Sequence, residues 1–116
     1  MHQPTESLDP DLLRWDDAGL LPAVIQDEAT REVRMVGYMN RESLDRTLES
    51  GQVWFFSRSR QELWRKGATS GNTLALRSIY VNCEENCLLL LVDPTGPTCH
   101  TGNQSCFYRP LRKVPS

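Results

Sequence analysis

The chain has 116 residues, the usual length of one domain, and 39% of them are hydrophobic, which excludes a disordered tail. Thirteen Lys and Arg residues against fifteen Asp and Glu residues give a net charge of -2, which argues against a strongly basic nucleic-acid binder. The first ten residues have no apolar core of a signal peptide, and the longest apolar run, Cys87 to Val92, is too short to span a membrane.

The first half of the chain predicts a β-hairpin followed by a short helix. Two apolar segments of strand length, Leu20–Asp27 and Val33–Met39, are separated by polar residues, a pattern typical of a hairpin. Asn40 is a favourable N-cap and Gly51 a favourable residue just beyond a helix end. The residues between them, Arg41–Ser50, therefore predict a helix.

The second half predicts mostly strands. Val53–Ser57 is β-branched and aromatic and predicts a strand, whereas Ser59–Trp64 is predicted to form one helical turn. Glu84–Asn86 predicts a turn into a buried strand, Cys87–Val92. Before that turn, Leu74–Asn82 alternates between two faces, one of which carries Leu74, Leu76, Ser78, Tyr80 and Asn82. Together these elements predict one α+β domain over residues 1–116, rich in antiparallel strands with one or two short helices, and we expect it in the cytoplasm.

Four cysteines, at positions 83, 87, 99 and 106, lack the paired CxxC spacing of a zinc ribbon. One interpretation is that they are buried free thiols that pack as small hydrophobic residues. Cys99 and Cys106, however, lie in the polar stretch TCHTGNQSC, where a cysteine gains little by packing. If Cys83 joins them, three thiolates leave an open position on a tetrahedral zinc ion, as in a catalytic site. If Cys87 is a fourth ligand, the site is closed and structural.

Proton transfer and phosphate binding also have candidate residues. His100, next to Cys99, is the candidate for proton transfer near neutral pH, and the alternative is a loop histidine bonded to backbone. Arginine forks, a lysine, hydroxyls and a glycine are the components of a phosphate site, although no P-loop motif is present and a solvated face is the alternative. The candidates for this substrate-binding segment are Arg58, Ser59, Arg60, Trp64, Lys66, Thr69, Ser70 and Gly71.

Three separate segments carry a resemblance to a known family: VGYMNRESLDRTLESG, WFFSRSRQELWRKGATSGN and GPTCHTGNQSCFYR, with Cys83 sixteen residues before Cys99. Together they resemble the phosphoribosyl-AMP cyclohydrolases of histidine biosynthesis. The resemblance implies hydrolytic opening of the adenine ring of phosphoribosyl-AMP at the N1–C6 bond, the third step of that pathway. It also implies an intertwined β-rich homodimer with active sites at the interface.

The same resemblance implies the roles of the site residues. Zinc is expected to be bound by Cys83 of one subunit together with Cys99 and Cys106 of the partner subunit, and to activate a water molecule. His100 is the expected general base, and Glu84 is the competing candidate. The basic segment is expected to hold the two phosphates of the small-molecule substrate.

The sequence departs from the family around the first zinc cysteine. Many members have an Asp-Cys-Asp-x-Asp pattern whose carboxylates bind magnesium, but the matching positions here are Asn82, Glu84 and Asn86. The formal charge falls from about -3 to about -1, and attraction for a hard cation falls with it. We therefore expect magnesium to bind weakly or not at all, and zinc alone to support activity.

Two rival functions predict different sequence features. A zinc nucleobase deaminase also attacks C6 of adenine, but it requires H-x-E and P-C-x-x-C motifs, and neither occurs here. A small zinc-stabilised binding module predicts a closed four-cysteine site that includes Cys87, with the metal needed for folding rather than for turnover.

Overall fold

The structure, a computed structural model, describes residues 9–115. The prediction that the first ten residues contain no signal peptide therefore falls largely outside the described residues. After a 3-10 turn at Pro10–Leu12, the elements in chain order are β1 Leu21–Asp27, β2 Val33–Met39, α1 Arg41–Ser50, β3 Trp54–Ser57, β4 Glu62–Arg65, β5 Leu74–Val81 and β6 Leu88–Pro94. No helix among the described residues is long and apolar enough to cross a membrane.

The strands form a four-stranded sheet and a separate two-stranded sheet. In the larger sheet the order is β2-β1-β6-β5, and only the central pair β1 and β6 is parallel. Strands β3 and β4 form an antiparallel hairpin, and β3 packs against β2 and α1. The predicted α+β class with mostly antiparallel strands is confirmed.

Local sequence signals explain the first hairpin and the helix. Strands β1 and β2 pair as predicted, and the inward side chains of β1 are almost fully buried. The Asn40 side chain accepts the Ser43 backbone N–H, while the Ser43 hydroxyl accepts the Asn40 backbone N–H, which forms a capping box. Gly51 ends the helix at a φ of 72°, in the left-handed region that glycine adopts easily. The predicted bounds of the helix are confirmed.

Phe55 lies at the centre of the core between the two sheets. It is 0% exposed and packs among buried residues of β1, β2 and β6, which contributes roughly 1.5–3 kcal/mol relative to an exposed position. Gly37 lets the ring approach, since a Cβ at this position would lie 2.5 Å from Phe55 Cδ1. The core thus joins β3 to the larger sheet.

The predicted helical turn over Ser59–Trp64 is wrong. The chain makes a tight turn in which Gln61 has a φ of 54°, and Glu62–Arg65 returns as strand β4 beside β3. The Trp64 ring lies 5.0 Å from the Phe55 ring, centre to centre. Packing on Phe55 therefore outweighs the local tendency to form a helical turn.

The predicted strict alternation along β5 is also wrong beyond its middle. Leu76 pairs with Val92 and Ser78 with Leu91, so Arg77 is an extra residue in a β-bulge. The bulge shifts the alternation of inward and outward side chains by one residue. As a result, Leu76, Ile79 and Val81 all pack against the core. Ser78 and Tyr80 therefore do not continue the face of Leu76.

Candidate active site

Cys99 and Cys106 lie together in the loop that follows β6. Cys99 is 8% exposed and Cys106 is exposed, and the two sulfur atoms lie close enough to interact. The loop closes on itself because the Thr98 and Cys99 N–H groups donate to the carbonyls of Gln104 and Asn103. The backbone therefore holds the two thiols as a pair.

Thr101 favours the ionised form of the Cys99 thiol. Hydrogen bonds from the Thr101 hydroxyl, 3.0 Å from Cys99 Sγ, and from its backbone N–H lower the pKa of Cys99. Asn103 Nδ2 donates to the same hydroxyl at 2.9 Å and fixes its orientation. A thiol that ionises more easily is a better metal ligand, since the thiolate is the ligating form.

The neighbouring thiol behaves in the opposite way. Desolvation of its sulfur raises the pKa of Cys106, and the proximity of Cys99 raises it further. The positive charge of Lys66 opposes this rise and assists the fall at Cys99. Lys66 therefore lies near enough for its charge to favour the ionised forms of both thiols.

Cys83 lies at the other end of β6. Ala23 of β1 pairs with Leu88 at the start of β6, whereas Asp27 pairs with Val92 near its end. Cys83 is exposed in the turn before Leu88, while the cysteine loop follows the far end of the strand, about 20 Å away for a strand of this length. Among residues 9–115, no group of three or more His, Cys, Asp and Glu side chains could hold a metal ion.

The turn that carries Cys83 is held by amide groups. Asn82 Oδ1 accepts the backbone N–H groups of Asn86 and Cys87, and Asn82 Nδ2 donates to Asn86 Oδ1 at 2.7 Å. Glu84 is exposed beside them. The amide oxygens are therefore used within the turn, and this arrangement does not fit a magnesium ion, which requires several free oxygen ligands.

A pocket of about 480 Å³ is built by the hairpin β3–β4 and the loop after it. Five of the predicted substrate-binding residues line it: Arg60, Trp64, Lys66, Thr69 and Ser70. The other lining residues, which were not predicted from the sequence, are Ser57, Glu62, Arg65, Gly67 and Ala68. Most of the charged groups in the lining are cationic, which makes it suitable for an anion.

Three predicted binding residues do not line this pocket. The Arg58 guanidinium lies 3.8 Å from the centre of the Tyr38 ring, in a cation–π contact. The Ser59 hydroxyl lies 3.4 Å from that of Ser57, and the Gly71 N–H donates to the Gly67 carbonyl at 2.8 Å. Arg58, Ser59 and Gly71 thus contact Tyr38, Ser57 and Gly67, respectively, and are not part of the pocket lining.

Gly67 is required at the rim of the pocket. It has a φ of 85°, and a Cβ there would lie 2.5 Å from the Asn72 backbone. The adjacent Lys66 lines the pocket and also lies close to both thiols. The basic pocket and the cysteine pair are therefore neighbours and form one candidate active site.

Comparison with known proteins identifies the family. The family model for phosphoribosyl-AMP cyclohydrolase matches residues 35–108, a range that includes the cysteine pair, Cys83 and the pocket. The chain belongs to the phosphoribosyl-AMP cyclohydrolase family. It is 55% identical over 98 residues to the phosphoribosyl-AMP cyclohydrolase of Lacticaseibacillus casei (strain BL23), which covers 84% of this chain and 89% of the relative.

Other relatives have different lengths. The phosphoribosyl-AMP cyclohydrolase of Erythrobacter litoralis (strain HTCC2594) is 55% identical over 98 residues, 84% of this chain and 78% of the relative. The histidine biosynthesis bifunctional protein HisIE of Bacillus subtilis (strain 168) is 55% identical over 97 residues, 84% of this chain and 46% of the relative. The chain thus spans about half the length of the bifunctional relatives that it matches.

The two candidate bases lie apart, each next to a cysteine. His100 follows Cys99 and is exposed, and within residues 9–115 its ring makes no hydrogen bond. The alternative of a histidine bonded to backbone is therefore not observed. Glu84 follows Cys83 in the turn before β6. In a single chain, only His100 lies beside the cysteine pair.

A buried ion pair that the sequence motifs did not predict lies beneath the cysteine loop. Arg34 and Asp27 are 5% and 6% exposed, and Arg34 Nη2 lies 2.9 Å from Asp27 Oδ2. Burial by itself raises the pKa of Asp27, but hydrogen bonds from the N–H groups of Ala29 and Thr30 and from Arg34 outweigh it and lower the pKa. The available signal was an arginine within the otherwise apolar strand VRMVGYM.

Proposed function

We propose that this chain hydrolyses phosphoribosyl-AMP at the N1–C6 bond of its adenine ring, the third step of histidine biosynthesis. The observation that carries the proposal is the pair of thiols, Cys99 and Cys106, beside a basic pocket, in a chain of this family. In the reaction, water adds its oxygen to C6 and the N1–C6 bond breaks. N1 takes a proton, and the single ring-opened product carries both a carboxamide and a formamidine group.

The metal of this proposal is zinc, bound by Cys99 and Cys106 of one protomer and by Cys83 of the partner subunit. The cysteine pair supplies two soft ligands on one side, and Cys83 is exposed at the opposite end of β6, where a second copy can reach it. Zinc held by these three thiolates would supply a Lewis acid that activates water. The proposal therefore requires a homodimer with its active sites at the interface.

The chain's own residues bind and orient the substrate. Arg60, Arg65 and Lys66 present cations to phosphate oxygens, and Thr69 and Ser70 add hydroxyl donors. The Trp64 ring lines the same pocket and offers a face to the base. His100, beside the cysteine pair, accepts a proton from the attacking water, and Glu84 of the partner subunit is the competing base.

Magnesium has no role in the proposed reaction. Asn82 and Asn86 use their amide oxygens within the turn, so Glu84 is the one of the three matching positions that offers a carboxylate. The proposal also places the enzyme in the cytoplasm and includes no nucleic-acid or membrane partner. These two points stay predictions.

A subunit-mixing experiment tests the shared site. Neither Cys83→Ser nor Cys99→Ser should be active alone, because each homodimer lacks a ligand at both sites. After the two variants are denatured together and reassembled at equal amounts, half of the dimers are mixed, and each mixed dimer regains one intact site. Activity, followed by the ultraviolet absorbance change on adding phosphoribosyl-AMP, should therefore return to about a quarter of the wild-type value.

The matched control mixes Cys99→Ser with Cys106→Ser. Both ligands come from the same protomer, so no mixed dimer contains an intact site and activity should stay absent. Activity in this control, or none in the Cys83→Ser and Cys99→Ser mixture, contradicts the shared site. No absorbance change with zinc-loaded, folded wild-type protein contradicts the cyclohydrolase function itself.

A further inference from the structure

Arg34 lies at an irregularity in the first hairpin. Ile25 pairs with Met35 and Gln26 with Val33, so Arg34 is an extra residue in a β-bulge of β2. Strand β2 is at the edge of the sheet, and a bulge at an edge redirects both a side chain and a carbonyl group. Here both groups of Arg34 are directed toward the cysteine loop.

The guanidinium of Arg34 binds the loop at several points. Nη1 donates to the Gln104 carbonyl at 2.9 Å and lies 3.5 Å from Thr98 Oγ1, while Nη2 donates to Gln104 Oε1 at 3.1 Å. Thr98 directly precedes Cys99, and Gln104 lies two residues before Cys106. The side chain therefore joins the two arms of the loop that carry the thiols.

The backbone of the bulge binds the same loop. The Arg34 carbonyl accepts the Cys106 N–H at 2.8 Å, and the Ser105 hydroxyl donates to the Val33 carbonyl at 2.6 Å. Cys106 is thus fixed directly through its backbone N–H group. Cys99 is fixed through Thr98, its neighbour in the chain.

Asp27 fixes the guanidinium in turn. Its Oδ2 lies 2.9 Å from Arg34 Nη2, and its Oδ1 accepts the Ala29 N–H, so the carboxylate is itself held by backbone. Glu32 Oε1 lies 3.3 Å from Arg34 Nε. An arginine held between a carboxylate and a loop has little freedom to move, and this is how outer residues orient metal ligands.

We propose that Arg34 is a positioning residue, which holds the loop so that Cys99 and Cys106 are spaced to bind one metal ion together. The inference rests on the proposed function in one respect, that the two thiols are metal ligands. It assigns no contact between Arg34 and substrate. It also differs from a purely structural role, in which Arg34 stabilises the fold but leaves metal binding unchanged.

Two variants separate these roles. Arg34→Met removes the guanidinium but leaves Asp27 buried alone, so this variant is expected to lose stability. Asp27→Asn combined with Arg34→Met removes both charges and is expected to regain stability, because no uncompensated charge remains. Both variants lose the contacts of the guanidinium with the loop, while the backbone contacts of the bulge remain possible. Arg77→Met, which removes an exposed arginine of β5 that pairs with Asp93 at 3.4 Å, is the matched control.

The first readout is zinc affinity, measured by competition with a chromophoric chelator well below the melting temperature of each variant. The double variant should bind zinc 10–100-fold more weakly than wild type, the usual effect of losing an outer contact of a metal ligand. Arg77→Met should bind zinc like wild type. Gln104→Ala should weaken binding in the same direction, and Gln104→Glu, which keeps an acceptor for Arg34, should restore it.

The second readout is independent of metal and of turnover. In zinc-free protein, Cys99 is buried, so N-ethylmaleimide should modify it slowly, and mass spectrometry locates the label. Modification of Cys99 should be faster in the double variant than in wild type and in Arg77→Met. Because neither readout uses phosphoribosyl-AMP, both decide the role of Arg34 even if ring opening is not observed.

The outcomes are distinct. A double variant that is folded, binds zinc as tightly as wild type and protects Cys99 equally well overturns the proposal. If wild type itself binds no zinc, the metal assignment fails, and Cys99 labelling alone decides whether Arg34 orders the loop. If stability returns in the double variant while zinc affinity and Cys99 protection stay low, the positioning role is established.

Discussion

The two ends of strand β6 present their cysteines in different ways. After its C-terminal end, Cys99 is buried in a loop that is attached to β2 through the side chain and carbonyl of Arg34. Before its N-terminal end, Cys83 is exposed in a turn held mainly by Asn82 and Asn86. At one end a buried cysteine lies in a loop that is bonded to the sheet, and at the other end an exposed cysteine lies in a surface turn.

The difference bears on the proposed metal site. A loop fixed by buried contacts holds two thiols at a defined spacing, which a turn on the surface does not achieve alone. An exposed ligand is suited to a site in another molecule, because it is accessible without rearrangement. The following predictions test this comparison, from the largest expected effect to the smallest.

Removal of single thiols should give the largest effect. Cys99→Ser should reduce zinc content and turnover to the level of metal-free protein, because a hydroxyl is a poor replacement for a thiolate ligand. Cys87→Ser is the matched control, since Cys87 lies next to the Cys83 turn but is not one of the three proposed ligands. Zinc content by mass spectrometry and the ultraviolet assay check both. Zinc lost from Cys87→Ser contradicts the open site and supports a closed four-cysteine site.

Asp27→Asn should lower the free energy of unfolding by about 3–5 kcal/mol, because the Arg34 charge is left buried without its partner. The pKa of Asp27 is lower in the folded state than its ordinary value of 3.8, so the unfolded state binds this proton more tightly. The stabilisation is therefore fully present above about pH 4 and is lost as the pH falls through the lowered pKa. Urea unfolding of both proteins between pH 3 and pH 7 measures this.

In that comparison, the stability difference between wild type and Asp27→Asn should shrink at the acid end. Asp93→Asn, which alters an exposed pair with Arg77, should change stability by less than about 1 kcal/mol throughout. A difference that stays constant to pH 3 contradicts the assignment to Asp27. The groups that face Asp27 are Arg34 and, through Arg34, Glu32.

Introducing the family's carboxylates into the Cys83 turn should lower the free energy of unfolding by about 1 kcal/mol. The double variant Asn82→Asp/Asn86→Asp removes the hydrogen bond between the two amide side chains. It also places a carboxylate at each of the three positions 82, 84 and 86, so the stability of the protein should fall when no cation is present. Magnesium should raise the melting temperature of this variant but not that of wild type. Wild-type turnover should persist when magnesium is removed and zinc is retained. Its loss contradicts the expectation that magnesium is unnecessary.

The smallest effect should come from the segment before β1. The Arg14 N–H donates to the Glu85 carbonyl at 2.7 Å, and Glu85 has a φ of 60° in the Cys83 turn. Arg14→Pro removes this donor and should lower the free energy of unfolding by about 0.5–1.5 kcal/mol. Arg14→Ala keeps the N–H and should behave like wild type. Equal stability of the two variants in urea unfolding contradicts a role for this bond.

Local signals predicted much of the fold. The first hairpin, the helix with its cap and its terminal glycine, and strands β5 and β6 follow from patterns within about ten residues, and the structure confirms them. Strand β4 could not be predicted in this way, because Trp64 adopts it in order to pack on Phe55. The bulges at Arg34 and Arg77 depend on pairing with β1 and β6, which the local sequence does not reveal.

The candidate site shows the same division. The residue types of a metal and phosphate site, and the family to which the motifs belong, were readable from the sequence, and the family is confirmed. The roles of Thr101 and Arg34 were not, because a hydroxyl or guanidinium gains its role from the group that it meets across the fold.

The sequence alone determined the chemistry available to this protein: its thiols, its basic segment and the caps and turns that begin and end its elements. Only the tertiary structure decided which of these groups meet. Strand β6 separates Cys83 from the other two cysteines, and its parallel pairing with β1 brings the Asp27 end of the first hairpin beside the cysteine loop, to which the edge bulge of β2 directs Arg34. The physical reason is that side-chain identity is a local property, whereas burial, strand register and the proximity of charges arise from contacts between residues distant in the chain.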